Sequence, residues 1–313
     1  MYFQPTPSPD KSKIESIFYH CFNRKLDKTG SYGLVDWLNI QKFNPTQAQA
    51  DLQDKLKVKK YVKSICPDLK TAEVLWEGNY IVNAWNSLPR TFMLKANHGK
   101  DFNLLIDKDK VGISTAQKAI NKWLETDFGA ITEERSYSLI KPKAFAEEYL
   151  GKLDDYKFWT FHGEPGFLQL SVEGEWTGTH FNDRRIECYD PYTGERLPQR
   201  IFYKMADNPE HKINIPEKML DYTKKLASDL DFVRMDYYMV NNEIYFGEFT
   251  LLPACGYLPI SPLTLETTWA NVVNKRMTVQ QALKIVKYYK FNHPELEQDF
   301  HISEEEIRNF IKV

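Results

Sequence analysis

Apolar residues recur at helical spacing in some segments of this chain and at alternate positions in others. In residues 53–65 (QDKLKVKKYVKSI), Leu56, Val58, Tyr61, Val62 and Ile65 fall near one face of a helix, and Cys66-Pro67 stops it. The opposite face is rich in lysine. Upstream, residues 11–52 read as helix, loop and the start of a further helix, with a turn at Asn44-Pro45-Thr46. Strand-like runs follow at 72–76, 91–96 and 102–107, then a helix over 114–125 with Ser114 at its N-cap. Further runs at 143–150, 155–162 and 166–173 read as an antiparallel meander, the last two joined at Gly163-Glu164-Pro165-Gly166. A helix over 216–230, with Pro216 in its first turn, precedes strands at 232–240 and 244–251. From 263 the pattern is helical, with Thr278 capping 279–290 and Ser303 heading 303–312.

Composition narrows the function classes. With 313 residues and 42% hydrophobic content the chain is long enough for two lobes around a cleft. Lys+Arg is 41 and Asp+Glu is 43, a formal net charge of -2, so no global field recommends nucleic acid or an anionic membrane. Phosphate binding therefore needs a local site. Cys21, Cys66, Cys188 and Cys255 are far apart and form no zinc or disulfide pattern, which reads as reduced thiols in a cytoplasmic protein. No window approaches the ~20 apolar residues of a membrane span. Tyr2-Phe3-Gln4 resembles a protease-site remnant, and Pro5, Pro7 and Pro9 are expected to keep residues 1–10 out of the packed fold.

The segment FVRMDYYMVNNEIYFGEFT, residues 232–250, carries the chemistry. A three-residue loop at 241–243 sets Val240 opposite Ile244, Asp236 opposite Glu248 and Arg234 opposite Thr250. Arg234, Asp236, Glu248 and Thr250 then share one face. Val233, Met235, Tyr237, Met239, Tyr245, Phe249 and Leu251 form the apolar face. Two opposed carboxylates repel unless a cation or proton lies between them, and such oxygens suit Mg²⁺ bridging phosphates. Arg234 is placed to stabilise developing negative charge. A salt-bridge ladder on a solvated sheet face is the other reading of the same residues.

Lys95 ends an apolar strand and precedes the small polar loop Ala96-Asn97-His98-Gly99, which taken alone reads more readily as a plain hairpin turn with an incidental lysine than as a phosphate clamp. In FAEEYLGKLDDYKFW, the backbone beside Phe145, Tyr149 and Leu150 can read an adenine edge, with Glu147, Glu148, Asp154, Asp155 and Lys157 nearby, or it is a surface strand with solvated acids.

Taken in order, Asp54-Lys55, FMLKANHG, AEEYL with DYKFWTF, and FVRMDYY…IYFGEFT resemble the ATP-grasp superfamily over roughly residues 40–260. They are most similar to its TupA-like branch, associated with teichuronopeptide and other surface-polysaccharide synthesis. The resemblance implies an α+β fold, two lobes clasping a nucleotide cleft, with extra terminal helices. Within the matched span, 53–142 would be the N-terminal lobe and 143–262 the second lobe; by residue pattern alone, 11–52 read as an N-terminal helical segment and 263–313 as a helical extension outside the resemblance. It also implies that Lys55 and Lys95 contact ATP phosphates, with Asn97, His98 and Gly99 in the loop over them. Glu147, Glu148, Tyr149 and Leu150 would form the adenine hinge, and Asp155 and Lys157 would lie near ribose and phosphates. Asp236, Glu248 and Thr250 would hold one or two Mg²⁺ ions, with Arg234 catalytic; Thr250 stands where the family pattern usually has Asn. His180, Arg184 and Arg185 resemble a segment of the branch that meets phosphates or an acidic acceptor.

The implied reaction is ATP-dependent joining of a carboxylate (a uronic acid, glycan or peptide) to an amine or amino acid through an acyl phosphate. Positioning and charge stabilisation carry most of phosphoryl transfer, which fits a chain with no GxSxG or HExxH motif. A glycan kinase and a non-catalytic nucleotide- or glycan-binding component of a polysaccharide assembly complex are the other two readings.

Overall fold

The protein is described by a computed structural model covering residues 8–151, 155–176, 181–201 and 209–289, with side chains of 172–184 left outside the description. The helix expected at 303–312 and His180 lie outside the described residues. Helix α1 (Lys11–Phe22) is capped by Asp10, whose carboxylate accepts from Lys13 N at 3.0 Å. Asp10 N also donates to Glu133 at 3.1 Å, so order begins before residue 11. Helices α2 (Leu34–Gln41), α3 (Gln47–Gln53) and α4 (Lys57–Ile65) follow, α3 opening on a Thr46–Gln49 capping box. The helix expected at 53–65 starts four residues later. Asp54 turns out of helical geometry, and its carboxylate accepts from the N–H groups of Leu56 and Lys57 at 2.9 and 3.2 Å, capping α4.

After the short β1 (Lys70–Thr71), strands β2 (Val74–Gly78), β3 (Thr91–Ala96) and β4 (Asn103–Asp107) lead to α5 (Ile113–Glu125), α6 (Phe128–Thr132) and β5 (Ala144–Glu148). These strands form an antiparallel sheet in the order β2-β5-β3-β4. Phe92, Leu94, Ala96, Ile106, Ala144 and Ala146 point to one core with Ile120 and Trp123 of α5. Alternation sends Met93, Lys95 and Glu147 to the other face. Two expectations fail here. Helix α5 is entered through Gly112 without a side-chain cap, so Ser114 is not its N-cap. Strand β5 belongs to this small sheet, not to the later meander, because Ala144 and Ala146 fit opposite Ala96 and Leu94 of β3.

The rest of the chain builds a larger sheet from β6 (Asp155–Phe161), β7 (Glu164–Trp176), β8 (Phe181–Tyr189) and β9 (Arg196–Leu197). After β10 (Arg200–Ile201) and α7 (Glu217–Leu226) come β11 (Phe232–Val240) and β12 (Glu243–Thr250), then β13 (Ile260–Ser261), α8 (Leu263–Val273) and α9 (Val279–Tyr288). The order is β1-β12-β11-β6-β7-β8-β9, with β1 parallel to β12 and every other pair antiparallel. On its back face Phe158, Leu168, Val233, Met235 and Tyr237 pack with Val58 and Val62 of α4 and Leu226 of α7. Thus α4 and β1 serve the large sheet, and the two sheets divide the chain differently from a boundary at 142/143. On the front face Trp159, Phe161, Phe167 and Phe232 meet Trp269 of α8 and Leu283 of α9, the Phe161 and Trp269 rings stacking at 5.0 Å. Helices α8 and α9 therefore cover the apolar half of that face. Among the described residues no helix is long and apolar enough to cross a membrane, and all four cysteines are free and buried.

Glu266 ties α8 to the N-terminal helices: its two carboxylate oxygens accept from Val35 N and Ile260 N, each at 2.7 Å. Burial pushes this carboxyl up from 4.5 to about 7, against those two N–H donors. A raised folded value means that its stabilising contribution is present below about 4.5 and is lost as pH rises through about 7. Calorimetry of Glu266→Gln is expected to show a flatter Tm-against-pH curve across that window. Its Tm should be lower in acid by the equivalent of about 1–3 kcal/mol, because the amide can satisfy only one of the two N–H groups. Equal pH slopes for the two proteins would refute the assignment.

Candidate active site

Hairpin β11–β12 turns through Asn241 and Asn242, both at positive φ (50° and 63°), a two-residue connection in place of the expected three. Near the turn Val240 pairs with Glu243, Met239 with Ile244, Tyr238 with Tyr245 and Tyr237 with Phe246. The register then shifts by one at Gly247, after which Asp236 pairs with Glu248, Met235 with Phe249 and Arg234 with Thr250. The bulge supplies the residue that the loop lacks, so the two acids oppose each other for a different reason from the one expected. Phe246 replaces Tyr245 on the buried apolar face, where it packs with Tyr237 and Phe249.

Asp236 is buried at the centre of this constellation. Arg234 grips it with Nε and Nη2, each at 2.7 Å, and also donates to Thr250 Oγ1 at 3.0 Å. Lys157, directly across on β6, donates to Asp236 Oδ2 at 2.5 Å and pairs with Asp155. Burial pushes the Asp236 carboxyl up, but the Arg234 and Lys157 charges outweigh it and hold the group below its ordinary value. Glu248 is 35% exposed and looser, 3.7 Å from Arg234 Nη2 and 3.4 Å from Thr250 Oγ1. Arg234 thus lies between the carboxylates while Lys157 flanks Asp236 from β6, and Asp236 with its two cations lies in a recess and not on a solvated face. Among the described residues no three His, Cys, Asp or Glu side chains gather around one point. Asp236, Glu248 and Thr250 are hard oxygen donors that fit a divalent ion completing its shell with phosphate oxygens.

The small sheet presents a second set of charges. Glu147 lies between Lys95, with which it pairs, and Lys59 of α4 at 2.9 Å. Burial pushes its carboxyl up, but the two ammonium groups bring it below the usual range. Lys55 donates to the Gly99 carbonyl. Its ammonium is weakened by burial and by Lys95, against the attraction of Glu248, so charges of both sheets act on it. Tyr238 is raised well above its ordinary value by burial and then by Asp155, Glu248, Asp236 and Glu147, which come from both sheets. The facing sheets therefore share one electrostatic cleft.

Other expected residues have different surroundings. The Asn97 side chain is occupied by Asp54 at 3.1 Å, Lys141 O at 3.2 Å and Lys143 N at 2.8 Å. His98 is buried, with Nε2 3.0 Å from Trp123 O, and burial lowers its pKa. Neither side chain points to the cleft, so this loop can offer a phosphate only backbone N–H groups. Gly99 is required there, because a Cβ would lie 2.6 Å from the Phe102 ring. The Glu148 carboxylate accepts from Glu73 N at 3.0 Å, which fastens the end of β5, and half-buried Tyr149 and Leu150 lead out of it. Arg184 and Arg185 lie on β8, two strands from β6, with the Arg184 side chain outside the description. Sequence reasoning missed Lys59, Lys100, Glu134 and Lys42. Lys100 bridges the loop to the large sheet by donating to Leu252 O at 3.0 Å and Glu134 at 2.8 Å.

A model of the TupA-like ATP-grasp family matches residues 34–268. Among solved structures, the chain is 14% identical to D-alanine–D-alanine ligase from Bacillus anthracis, with a TM-score of 0.42, covering 76% of this chain and 69% of that one. It is 13% identical to the ATP-grasp ligase PsnB complexed with a minimal precursor, with a TM-score of 0.40, covering 65% of this chain. It spans 53% of the PsnB chain. No curated protein matches.

Proposed function

The chain belongs to the TupA-like ATP-grasp family, and from that premise we propose that it is an ATP-dependent carboxylate–amine ligase working through an acyl phosphate. The observation that carries this reading is the buried front face on which Asp236 opposes Glu248 while Arg234 and Lys157 neutralise it. Lys95 of the small sheet and Lys55, in the turn before α4, bind the phosphates as point charges, and the strand end at 147–150 lies along the adenine. Asp236, Glu248 and Thr250 would hold Mg²⁺, which would supply neutralising charge to the transferring phosphoryl group. Arg234 shares Asp236 with the metal site and stabilises the negative charge that grows on the acyl phosphate and on the tetrahedral species. The acceptor carboxylate attacks the γ-phosphate, releasing ADP. The amine then displaces phosphate to leave an amide. The acceptor is a uronic acid, glycan or peptide of a surface polysaccharide or its precursor, modified in the cytoplasm where ATP is supplied.

An ADP-release screen across pairs of acidic glycans and amines tests the reading. Ligation needs both partners, so ADP formation with a hydroxyl acceptor alone would make the protein a kinase. Lys95→Met is expected to raise KM for ATP roughly 10- to 100-fold, the worth of one charge-assisted contact. Its fold should survive, because Glu147 keeps Lys59 as a partner at 2.9 Å. Unchanged ATP kinetics would remove Lys95 from the site.

A further inference from the structure

The buried Glu147 carboxylate is shared by two lysines that reach it from different elements. Lys95 comes from β3 of the same sheet and pairs with Oε1. Lys59 comes from α4, which packs on the back of the large sheet, and it holds Oε2 at 2.9 Å while donating to Ala72 O at 2.8 Å. Lys59 also lines a cavity of about 750 Å³ beside α4, together with Lys60, Lys141 and Lys143. Lys95, Asp236 and Glu248 do not line that cavity, so the two ammonium groups stand on different sides of the carboxylate. Because Glu147 engages Lys95, phosphate oxygens compete with it for the Lys95 ammonium. A buried carboxylate deserted by its sole counterion would be left with an unpaired charge, a heavy penalty in such surroundings. Glu147 has a second counterion.

We propose that Lys59 is a positioning residue for nucleotide binding: as the resident counterion of Glu147, it releases Lys95 to the phosphates of ATP without leaving a bare carboxylate in the cleft. The proposal rests on the nucleotide-binding part of the ligase reading, and it gives Lys59 no contact with the nucleotide. The two lysines are suited to different duties. Lys59 is fixed by Ala72 O as well as by Glu147, and its side chain is 15% exposed. Lys95 is held by Glu147 and is 24% exposed, so its ammonium can turn to a ligand at the loss of one contact.

Calorimetric titration of MgATP into the full chain and its variants tests this. Lys59→Met is expected to weaken MgATP roughly tenfold or more, the effect of stranding a buried charged group, although the nucleotide itself loses no contact. Lys59→Arg keeps the charge, with the cavity beside α4 to accommodate it, and should bind close to wild type. In Lys59→Met/Glu147→Gln the amide no longer competes for Lys95 as a charge, so most of the lost affinity should return. Direct contact of Lys59 with the nucleotide, or a purely structural role, requires instead that the double variant bind as weakly as Lys59→Met or more weakly, and that result would overturn the proposal. Thermal denaturation without nucleotide gives a second reading. Either lysine alone leaves Glu147 one counterion, so Lys59→Met/Lys95→Met should lower Tm by more than the two single variants together. Additive Tm shifts would also overturn the proposal. A wild type with no MgATP response sinks the ligase reading and this proposal together, whereas a wild-type response that Lys59→Met leaves undiminished sinks this proposal alone.

Discussion

Asp236→Asn is expected to abolish ligation, lowering turnover roughly a thousandfold or more, the scale of losing a buried charge group at a reacting phosphoryl or acyl centre. The same change should destabilise the protein. Arg234 and Lys157 meet on this one carboxylate at 2.7 and 2.5 Å, and neutralising it leaves Lys157 with Asp155 alone and Arg234 with Thr250 and the distant Glu248, a cost of about 1–3 kcal/mol. Because the carboxyl is held below its ordinary 3.8, the stability it brings is present above that value and lost as pH falls through the lower folded value. Loss of activity in Asp236→Asn alone is therefore ambiguous between chemistry and folding. Glu248→Gln resolves it. Glu248 is 35% exposed and its contacts are long, at 3.4 and 3.7 Å, so its neutral form should keep Tm within about 0.5 kcal/mol of wild type. If the pair holds metal, Glu248→Gln must still lose most of the turnover and the MgATP thermal shift. Retained turnover in that stable variant would remove the metal assignment.

Local alternation made the hairpin legible: period-two spacing put Arg234, Asp236, Glu248 and Thr250 on one face, and the structure pairs them. The loop was misread because a bulge and an extra loop residue have the same effect on every pair beyond them. Only the residues between the turn and Gly247 separate the two: Ile244 and Phe246 take the apolar face and Tyr245 leaves it, and all three are large and apolar or aromatic. Glycine inside a strand was the available sign of the bulge. Strand β5 was assigned to the wrong sheet because its alanines pattern like any buried strand, and partner choice is a tertiary property. His98 faced inward since one turn position decides its direction and the sequence does not encode it. Lys42, Lys100 and Glu134 were out of reach for a different reason. They come from an α2 terminus, a loop and a helix-following turn, and only the packed chain brings them near one another.

Gly247→Val is expected to damage the site without removing a single charge. A Cβ at Gly247 would lie 2.9 Å from the Tyr238 ring and 3.0 Å from the Asp236 carbonyl oxygen, and the second of these is backbone that cannot swing aside. The crowding should cost about 1–3 kcal/mol, read as a lower Tm. Relief by sliding one residue would send Glu248 to the apolar face with Phe246, so turnover should fall by more than the stability loss explains. Deleting Gly247 is the informative contrast. It straightens β12 yet brings Glu248 into the place opposite Asp236 that the regular register from the Asn241–Asn242 turn provides. The deletion is therefore expected to retain more turnover than the valine variant, with hydrogen exchange across β11 and β12 closer to wild type. Should the valine variant keep full activity, the bulge would have no part in opposing the two acids, and their pairing would not be what the cleft depends on.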